Sequence, residues 1–172
     1  MAPLHTPHHT RKVLLEAALR EIHRRGFQAC SLQNILADTG LTKGALYHHF
    51  PNKAALGLAV VDELLAAQVQ QHYVDPLVLT DDPITTLGGM MQHVLASADR
   101  EFVELGCPVN NLALELSAAD ERFRARIHAV YERWRAGIAG ALARGQRHGT
   151  VAPGVDPEQV ATLVEATMTA FG

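Results

Sequence analysis

Cysteines, aromatic residues and long apolar runs are all scarce in this chain. Its 172 residues include only two cysteines, Cys30 and Cys107, too few for a disulfide framework. No apolar run approaches the ~18 residues of a membrane span, and the opening MAPLHTPHHT lacks the apolar core of a signal peptide. These absences exclude a disulfide-stapled secreted domain, and they predict a soluble cytoplasmic chain without a membrane partner.

Sequence motifs of catalysis and cofactor binding are also missing. The chain has no phosphate-cradling Gly-rich loop, no HExxH or CxxC, and no Ser/His/Asp set that periodicity places on one surface. Its histidines follow no metal-ligand spacing. The sequence therefore predicts a protein that is not an enzyme, with no catalytic residue, no cofactor and no metal site.

Positive charge is lacking overall but not locally. The net charge is −3, yet residues 1–53 carry seven Lys or Arg against three acids, a net of +4, and the remainder carries −7. This asymmetry favours a DNA-facing N-terminal part on an acidic body. An ordinary solvated helix face is an equally open interpretation of the arginines in the first helix.

Residues 31–53 form the most informative stretch, SLQNILADTGLTKGALYHHFPNK. Ser31 is a good N-cap for a short helix over residues 32–38, which Gly40 ends. Thr42 then caps a second helix whose apolar positions are Leu46 and Phe50. Two short helices that meet at a sharp corner are typical of a helix-turn-helix.

The second of these helices has a surface suited to a DNA groove. Lys43 can reach guanine acceptors, small residues let the backbone approach base edges, and rings can reach phosphate or bases. Asn52 caps a third helix, where the free N–H groups and Lys53 favour an anion. The predicted DNA-binding residues are Ser31, Thr42, Lys43, Gly44, Ala45, Tyr47, His48, His49 and Lys53.

This stretch resembles the TetR/AcrR family of bacterial transcriptional regulators, through Gly40, Thr42, Leu46-Tyr47, Phe50 and Lys53. The resemblance is detailed over residues 10–55. It implies an all-α fold, with a helix-turn-helix head (1–53) and a C-terminal helical ligand-binding and dimerisation domain (54–172). It also implies a homodimeric repressor that a small-molecule inducer releases from a palindromic operator in double-stranded DNA.

Helical periodicity and capping residues predict the remaining elements. A first helix runs over residues 11–25 with Thr10 as its cap, and a long helix from Lys53 ends near Tyr73, where Asp75-Pro76 breaks it. Asp82-Pro83 starts another helix, which Gly88-Gly89 interrupts; the pair indicates a kink, a close helix crossing or room for a ligand, and close packing is the expected outcome. The last two run from Asp120 to His148 and onward from Asp156-Pro157, the latter with an apolar face of Val160, Leu163, Val164, Met168 and Phe171.

The segment from Gly106 to Ala113 begins a helix with Pro108 in its first turn, and it resembles a subset of TetR-like regulators, some of which sense electrophiles or oxidants through a cysteine. A helix N-terminus lowers a thiol pKa, so Cys107 is a candidate sensor; the alternative is a small packed hydrophobe. Periodicity favours an apolar inducer pocket. Its candidate lining is Met90, Met91, His93, Cys107, Asn110, Asn111, Tyr131 and Trp134.

Two further alternatives stay open at this stage. Tyr131 and Trp134 fit either a dimer interface or an ordinary core. A non-specific DNA-binding protein would share the basic head without needing an inducer pocket. The end at Phe171-Gly172 is also compatible with a longer natural chain.

Overall fold

The computed structural model describes residues 7–97 and 100–170, and these are helical apart from the connecting turns. The first three helices form the N-terminal head: α1 (Pro7–Arg25), α2 (Leu32–Thr39) and α3 (Lys43–His49). The body contains α4 (residues 53–78), α5 (Pro83–Ser97), α6 (Arg100–Leu105), α7 (Pro108–Leu116), α8 (Glu121–His148) and α9 (Pro157–Ala170). The predicted all-α fold is confirmed.

Side-chain caps define the short helices of the head. Ser31 Oγ accepts from Asn34 N at 3.4 Å and Thr42 Oγ1 from Ala45 N at 3.1 Å. Gly40 ends α2 with φ +65, a conformation that costs glycine nothing. The helix-turn-helix boundaries predicted from the sequence are therefore confirmed to within a residue.

Helix α1 begins earlier than its capping pattern predicted. It starts at Pro7, so Thr10 lies inside the helix and is 8% exposed. Proline is favoured in a first helical turn because it has no N–H to leave unpaired. The prediction that Thr10 is a cap was wrong.

Helix α4 continues through Asp75-Pro76, where a break was predicted. It consists of α-helical Lys53–Ala59, π-helical Val60–Leu65, α-helical Ala66–Val69, π-helical Gln70–Val74 and α-helical Asp75–Val78. A proline ring clashes with the carbonyl one turn back in a regular α-helix. The wider π turn directly before Pro76 relieves that conflict.

One other expectation about the body was wrong, and another is confirmed only in part. Gly88 and Gly89 are exposed, and a Cβ at either would meet no atom within 4 Å, so they mark no close crossing. On α9 the predicted face is buried at Met168 and packs half-buried against the core at Val160 and Val164, whereas Leu163 is 67% exposed. Phe171 lies outside the described residues.

The core is continuous from head to body, and α8 is its main support. Phe123, Ile127, Ile138 and Leu142 are each at most 2% exposed, and the helix packs against α4, α7 and α9. Glu165 is buried because Arg135 Nη1 donates to both of its carboxylate oxygens at 3.2 Å. Across the described residues, no helix is long and apolar enough to cross a membrane.

Candidate nucleic-acid interface and ligand cavity

The outer surface of α3 carries most of the predicted DNA-binding residues. Thr42, Lys43, Gly44 and His48 are exposed, Ala45 is half-buried, and Tyr47 is 52% exposed. Leu46, on the opposite side, is fully buried. The burial of Leu46 fixes the rotation of α3, so that its polar and small residues face solvent.

The far end of α3 is anchored to the rest of the head rather than left free. Phe50 is 2% exposed, and the Arg11 guanidinium lies 4.5 Å from its ring centroid while pairing with Glu63 of α4. Burial lowers the pKa of His49, and the neighbouring His48 and Arg11 lower it further. His49 is therefore a half-buried, neutral imidazole at neutral pH, less available to DNA than His48.

Most basic residues of α1 are engaged in ion pairs within the fold. Arg20 Nη2 lies 2.6 Å from Asp38 Oδ2, and Lys12 lies 3.8 Å from Glu16. Arg25 lies 3.3 Å from Glu21. Lys43, by contrast, is exposed and makes no ion pair with any described residue. The head's positive charge thus includes a free cation on α3.

Ser31 and Lys53 have structural contacts in addition to their predicted role. Ser31 caps α2, and its side chain is only half-buried. Lys53 Nζ donates to the Gln28 carbonyl at 2.8 Å and lies 5.1 Å from the Phe27 ring centroid. One of the three ammonium donors is used in this way, which leaves the others for an anion.

A cavity of about 380 Å³ lies where the head meets the body. Its walls come from α1, α4, the start of α7, α8 and α9, and most of them are apolar. The lining residues are Leu19, Arg20, His23, Leu65, Gln68, Val69, His72, Tyr73, Cys107, Pro108, Val109, Trp134 and Met168.

Two stacked aromatic rings form one wall of the cavity. Tyr73 and Trp134 have ring centroids 4.5 Å apart and an interplanar angle of 28°. Trp134 is 2% exposed, and its indole Nε1 has no hydrogen-bond partner among the described residues. Burial raises the pKa of Tyr73, which therefore stays a neutral phenol at physiological pH. Trp134 belongs to the core of the chain.

Only some of the predicted pocket residues meet in this cavity. Cys107 and Trp134 do, but Met90 and His93 line a separate surface groove between α4 and α5. The groove also contains Gly89. Helical periodicity identifies an apolar side of α5, but it does not say which space that side adjoins.

The other predicted lining residues lie elsewhere. Asn111 Nδ2 donates to the Leu105 carbonyl at 2.6 Å, so this amide fixes the turn before α7. Tyr131 borders a groove between α7 and α8. Met91 and Asn110 border none of the spaces described above. The sequence interpretation missed the lining residues of α4 between Leu65 and Tyr73, because periodicity within one long helix does not show which distant segments pack around it.

Burial of Cys107 opposes the activation that a position at a helix N-terminus favours. Burial raises its pKa, while the N–H groups of Asn110 and Val109 at the start of α7 lower it by less. The expected effect of the helix N-terminus is present, but burial outweighs it. Cys30 is 5% exposed, and burial raises its pKa as well.

Comparison with known families identifies the class of protein. Residues 14–60 match the bacterial regulatory proteins of the tetR family, and residues 83–172 match the tetracyclin repressor-like C-terminal domain. The second match alone covers more than half of the chain. This protein belongs to the TetR family of bacterial transcriptional regulators.

Individual relatives agree with this assignment. An uncharacterized HTH-type transcriptional regulator in the lacX 3' region of Lactococcus lactis subsp. lactis is 30% identical over 135 residues, which cover 78% of this chain and 68% of the relative. The HTH-type transcriptional repressor NemR of Escherichia coli (strain K12) is 26% identical over 148 residues, covering 84% and 71%. The crystal structure of a TetR regulator from Chloroflexus aurantiacus J-10-FL has a TM-score of 0.78 at 29% identity, covering 94% and 81%.

Family membership settles the coarse function. The chain is a DNA-binding transcriptional regulator and not an enzyme. Regulators of this family bind operator DNA and small ligands. The helix-turn-helix and the cavity are therefore the two features of this chain that bear on which DNA and which ligand it binds.

Proposed function

We propose that this regulator is a homodimeric repressor that binds a pseudo-palindromic operator through α3 and releases it when a small molecule occupies the cavity. Residues 1–53 form the DNA-binding part, and residues 54–172 form the effector-binding and dimerisation part. The observation that carries the DNA-binding half is the exposed face of α3, with Lys43 free of ion pairs above a buried Leu46.

Each residue on this face has a physical reason to meet DNA. Lys43 donates to guanine acceptors in the major groove, and Gly44 and Ala45 are small enough to let the helix approach. The Tyr47 hydroxyl and the His48 imidazole reach phosphate or base edges at the rim. In a two-fold dimer, two such helices lie about 34 to 36 Å apart, on successive major-groove faces.

The surface of α9 supports pairing with a second copy. Leu163 is 67% exposed, and Val160 and Val164 beside it are half-buried. Exposed apolar residues at helical spacing favour a helix-to-helix interface, and the closed two-fold dimer is the commonest such assembly.

The DNA-binding part of this proposal is tested in two steps. Binding sequences are selected from random double-stranded DNA, and the protein is then footprinted on the selected sequence. An inverted repeat is the expected outcome, and an asymmetric footprint counts against the dimer. Equal affinity for the selected and random sequences would instead indicate a non-specific DNA-binding protein.

Two lysine variants separate base contacts from phosphate contacts. Lys43→Ala should change the preferred bases, whereas Lys53→Ala should weaken binding to selected and random DNA together. The salt dependence of Lys53→Ala should become shallower by about one unit, because one phosphate contact is lost. If the two variants behave alike in both measurements, this division of roles is wrong.

The size and lining of the cavity support one class of inducer. A space of about 380 Å³ with mostly apolar walls suits a small, largely apolar molecule. The unpaired Trp134 Nε1 is a buried donor, which costs about 1–3 kcal/mol when unsatisfied. A ligand that carries a hydrogen-bond acceptor, and that opens the wall enough to reach this N–H, would recover that energy.

Cavity occupancy is tested with a library of small apolar compounds, half of which carry a carbonyl or ether oxygen. Ligands should raise the unfolding temperature of the wild type and release the selected operator. Gln68→Trp fills the cavity rim and should abolish both effects. Gln71→Trp, one turn further along α4 and outside this cavity, is the matched control. Ligands that bind both variants equally would place the inducer site elsewhere.

The cysteine-sensor alternative is not favoured by the site. A sensing thiol needs to be partly ionised at neutral pH, and burial raises the pKa of Cys107. Cys107→Ser should therefore retain release of the selected operator by ligands found in the screen. Loss of release in this variant would restore the cysteine as the sensor.

A further inference from the structure

The turn between α1 and α2, residues 26–30, is held by a carboxylate from the body. Gly26 ends α1 with φ +79. Glu115, near the end of α7, accepts from Phe27 N through Oε2 and from Gln28 N through Oε1, both at 2.7 Å. Successive N–H groups after a left-handed residue form a concave anion site. Here the anion is a side chain of the same protein.

The same turn is bound on its other side. The Gln28 carbonyl accepts from Lys53 Nζ at 2.8 Å, so both faces of this backbone segment are engaged. Phe27 packs its ring against Phe123 of α8, with centroids 4.9 Å apart. Since α2 begins at Leu32, directly after this turn, the turn helps to orient the helix-turn-helix, together with the packing of α2 and α3 on α1.

Helix α7 carries Glu115 at one end and borders the cavity at the other. Cys107, Pro108 and Val109 line the cavity, and His23 Nε2 of α1 lies 2.8 Å from the Gly106 carbonyl. At 1.5 Å per residue, the start of α7 and Glu115 are roughly 10 Å apart along the helix. One helix of nine residues therefore carries both part of the cavity wall and the carboxylate that holds the turn.

We propose that Glu115 is a positioning residue for operator binding. It fixes the orientation of the helix-turn-helix through its hydrogen bonds to the backbone of Phe27 and Gln28. Hydrogen bonds to an ionised acceptor are short and strong, and two of them from one carboxylate define an angle as well as a distance. Without them, α2 and α3 sample several orientations, and two recognition helices fit two half-sites less often. The DNA readout of this proposal rests on the proposed function, and its hydrogen-exchange readout does not.

Glu115→Gln tests the contact with almost no change of shape. The amide oxygen accepts only one of the two N–H groups, and the amide nitrogen faces the other as a second donor. Glu115→Asp keeps the charge but withdraws the carboxylate by one methylene. Glu158→Gln removes the same charge from an exposed position on α9 and is the matched control.

Three measurements on the full-length protein distinguish the outcomes. In hydrogen exchange, the segment 26–30 should be protected in the wild type and in Glu158→Gln, and it should exchange faster in both Glu115 variants. Affinity for the selected operator should fall about tenfold in both Glu115 variants, the equivalent of one charged hydrogen bond. Affinity for random DNA should not fall.

The direction of the change in operator affinity separates a positioning role of Glu115 from the effect of its charge. Removing an acid strengthens binding to all DNA by electrostatics alone, so tighter operator binding in both Glu115→Gln and Glu158→Gln would overturn the proposal. Rapid exchange of residues 26–30 in the wild type would also overturn it. If selection finds no operator, the proposed function fails, while the exchange comparison still decides whether Glu115 holds the turn.

Discussion

Gly57 lies in α4 where the head meets the body, and the structure leaves no room there for a side chain. A Cβ built on Gly57 lies 2.4 Å from Phe27 Cε2 and 3.0 Å from Phe123 Cζ. Ordinary carbon contacts are roughly 3.5–4.0 Å, so Gly57→Ala forces the Phe27 ring to move by about 1 Å. The neighbouring Phe123 is 1% exposed and leaves it little room.

Two opposing effects determine how much Gly57→Ala changes the free energy of unfolding. Overpacking of a core costs about 1–3 kcal/mol, while alanine in place of glycine inside a helix gains up to about 1 kcal/mol. The net expectation is a loss of about 1–2 kcal/mol of unfolding free energy. For a chain of this size, that lowers the unfolding midpoint by about 2–8 °C.

Gly88→Ala is the matched control, because it makes the same chemical change on α5 where no atom lies within 4 Å of the added Cβ. It should stabilise the protein by about 0.5–1 kcal/mol. Urea unfolding can be followed by fluorescence of Trp134, the single tryptophan, at equal protein concentrations. Equal and favourable effects of the two substitutions would refute the close contact at Gly57.

Two further predictions concern titratable groups. The Arg122 hydrogen bond holds the pKa of Asp120 at about 2, below its ordinary value of 3.8, so its stabilisation is present above pH 4 and is lost as the pH falls toward 2. The difference in urea midpoint between wild type and Asp120→Asn should therefore shrink between pH 5 and pH 2; a constant difference would contradict this. Burial raises the pKa of Cys30 and of Cys107, so both should be alkylated slowly at neutral pH, Cys107 faster because it borders the cavity. Mass spectrometry ranks the two rates, and fast labelling of Cys107 at pH 7 would contradict the raised pKa.

The head was predictable because its signals are local. Ser31, Thr42 and Asn52 each cap a helix within three residues of themselves, and Gly40 ends one by its own backbone conformation. Capping and termination depend on neighbouring atoms in the chain, so the sequence contains them directly. Lys43 was predictable for a similar reason, since its exposure follows from the burial of Leu46.

The cavity was less predictable because its walls come from distant parts of the chain. Periodicity predicts an apolar face that includes Trp134, and Met90 was a candidate lining residue. Only the fold decides that Trp134 meets Tyr73 and that Met90 adjoins a surface groove. The sequence left two alternatives open for Cys107, a sensor thiol and a packed hydrophobe, for the same reason. Its helix position is local, but its burial is a property of the packed protein.

The contacts at Phe27 also predict that substitutions on different helices will not act independently. Gly57→Ala displaces the Phe27 ring, and Glu115→Gln breaks one of the two hydrogen bonds to the Phe27 and Gln28 N–H groups, so both loosen the same turn. Once either contact is lost, the turn is already displaced, so loss of the other contact has a smaller further effect. The double variant should therefore lose less operator affinity than the two single losses combined, with a coupling of about 0.5 kcal/mol or more. Binding isotherms of the four proteins on the selected operator measure it. Strictly additive losses would show that the ring and the backbone of Phe27 serve the helix-turn-helix separately.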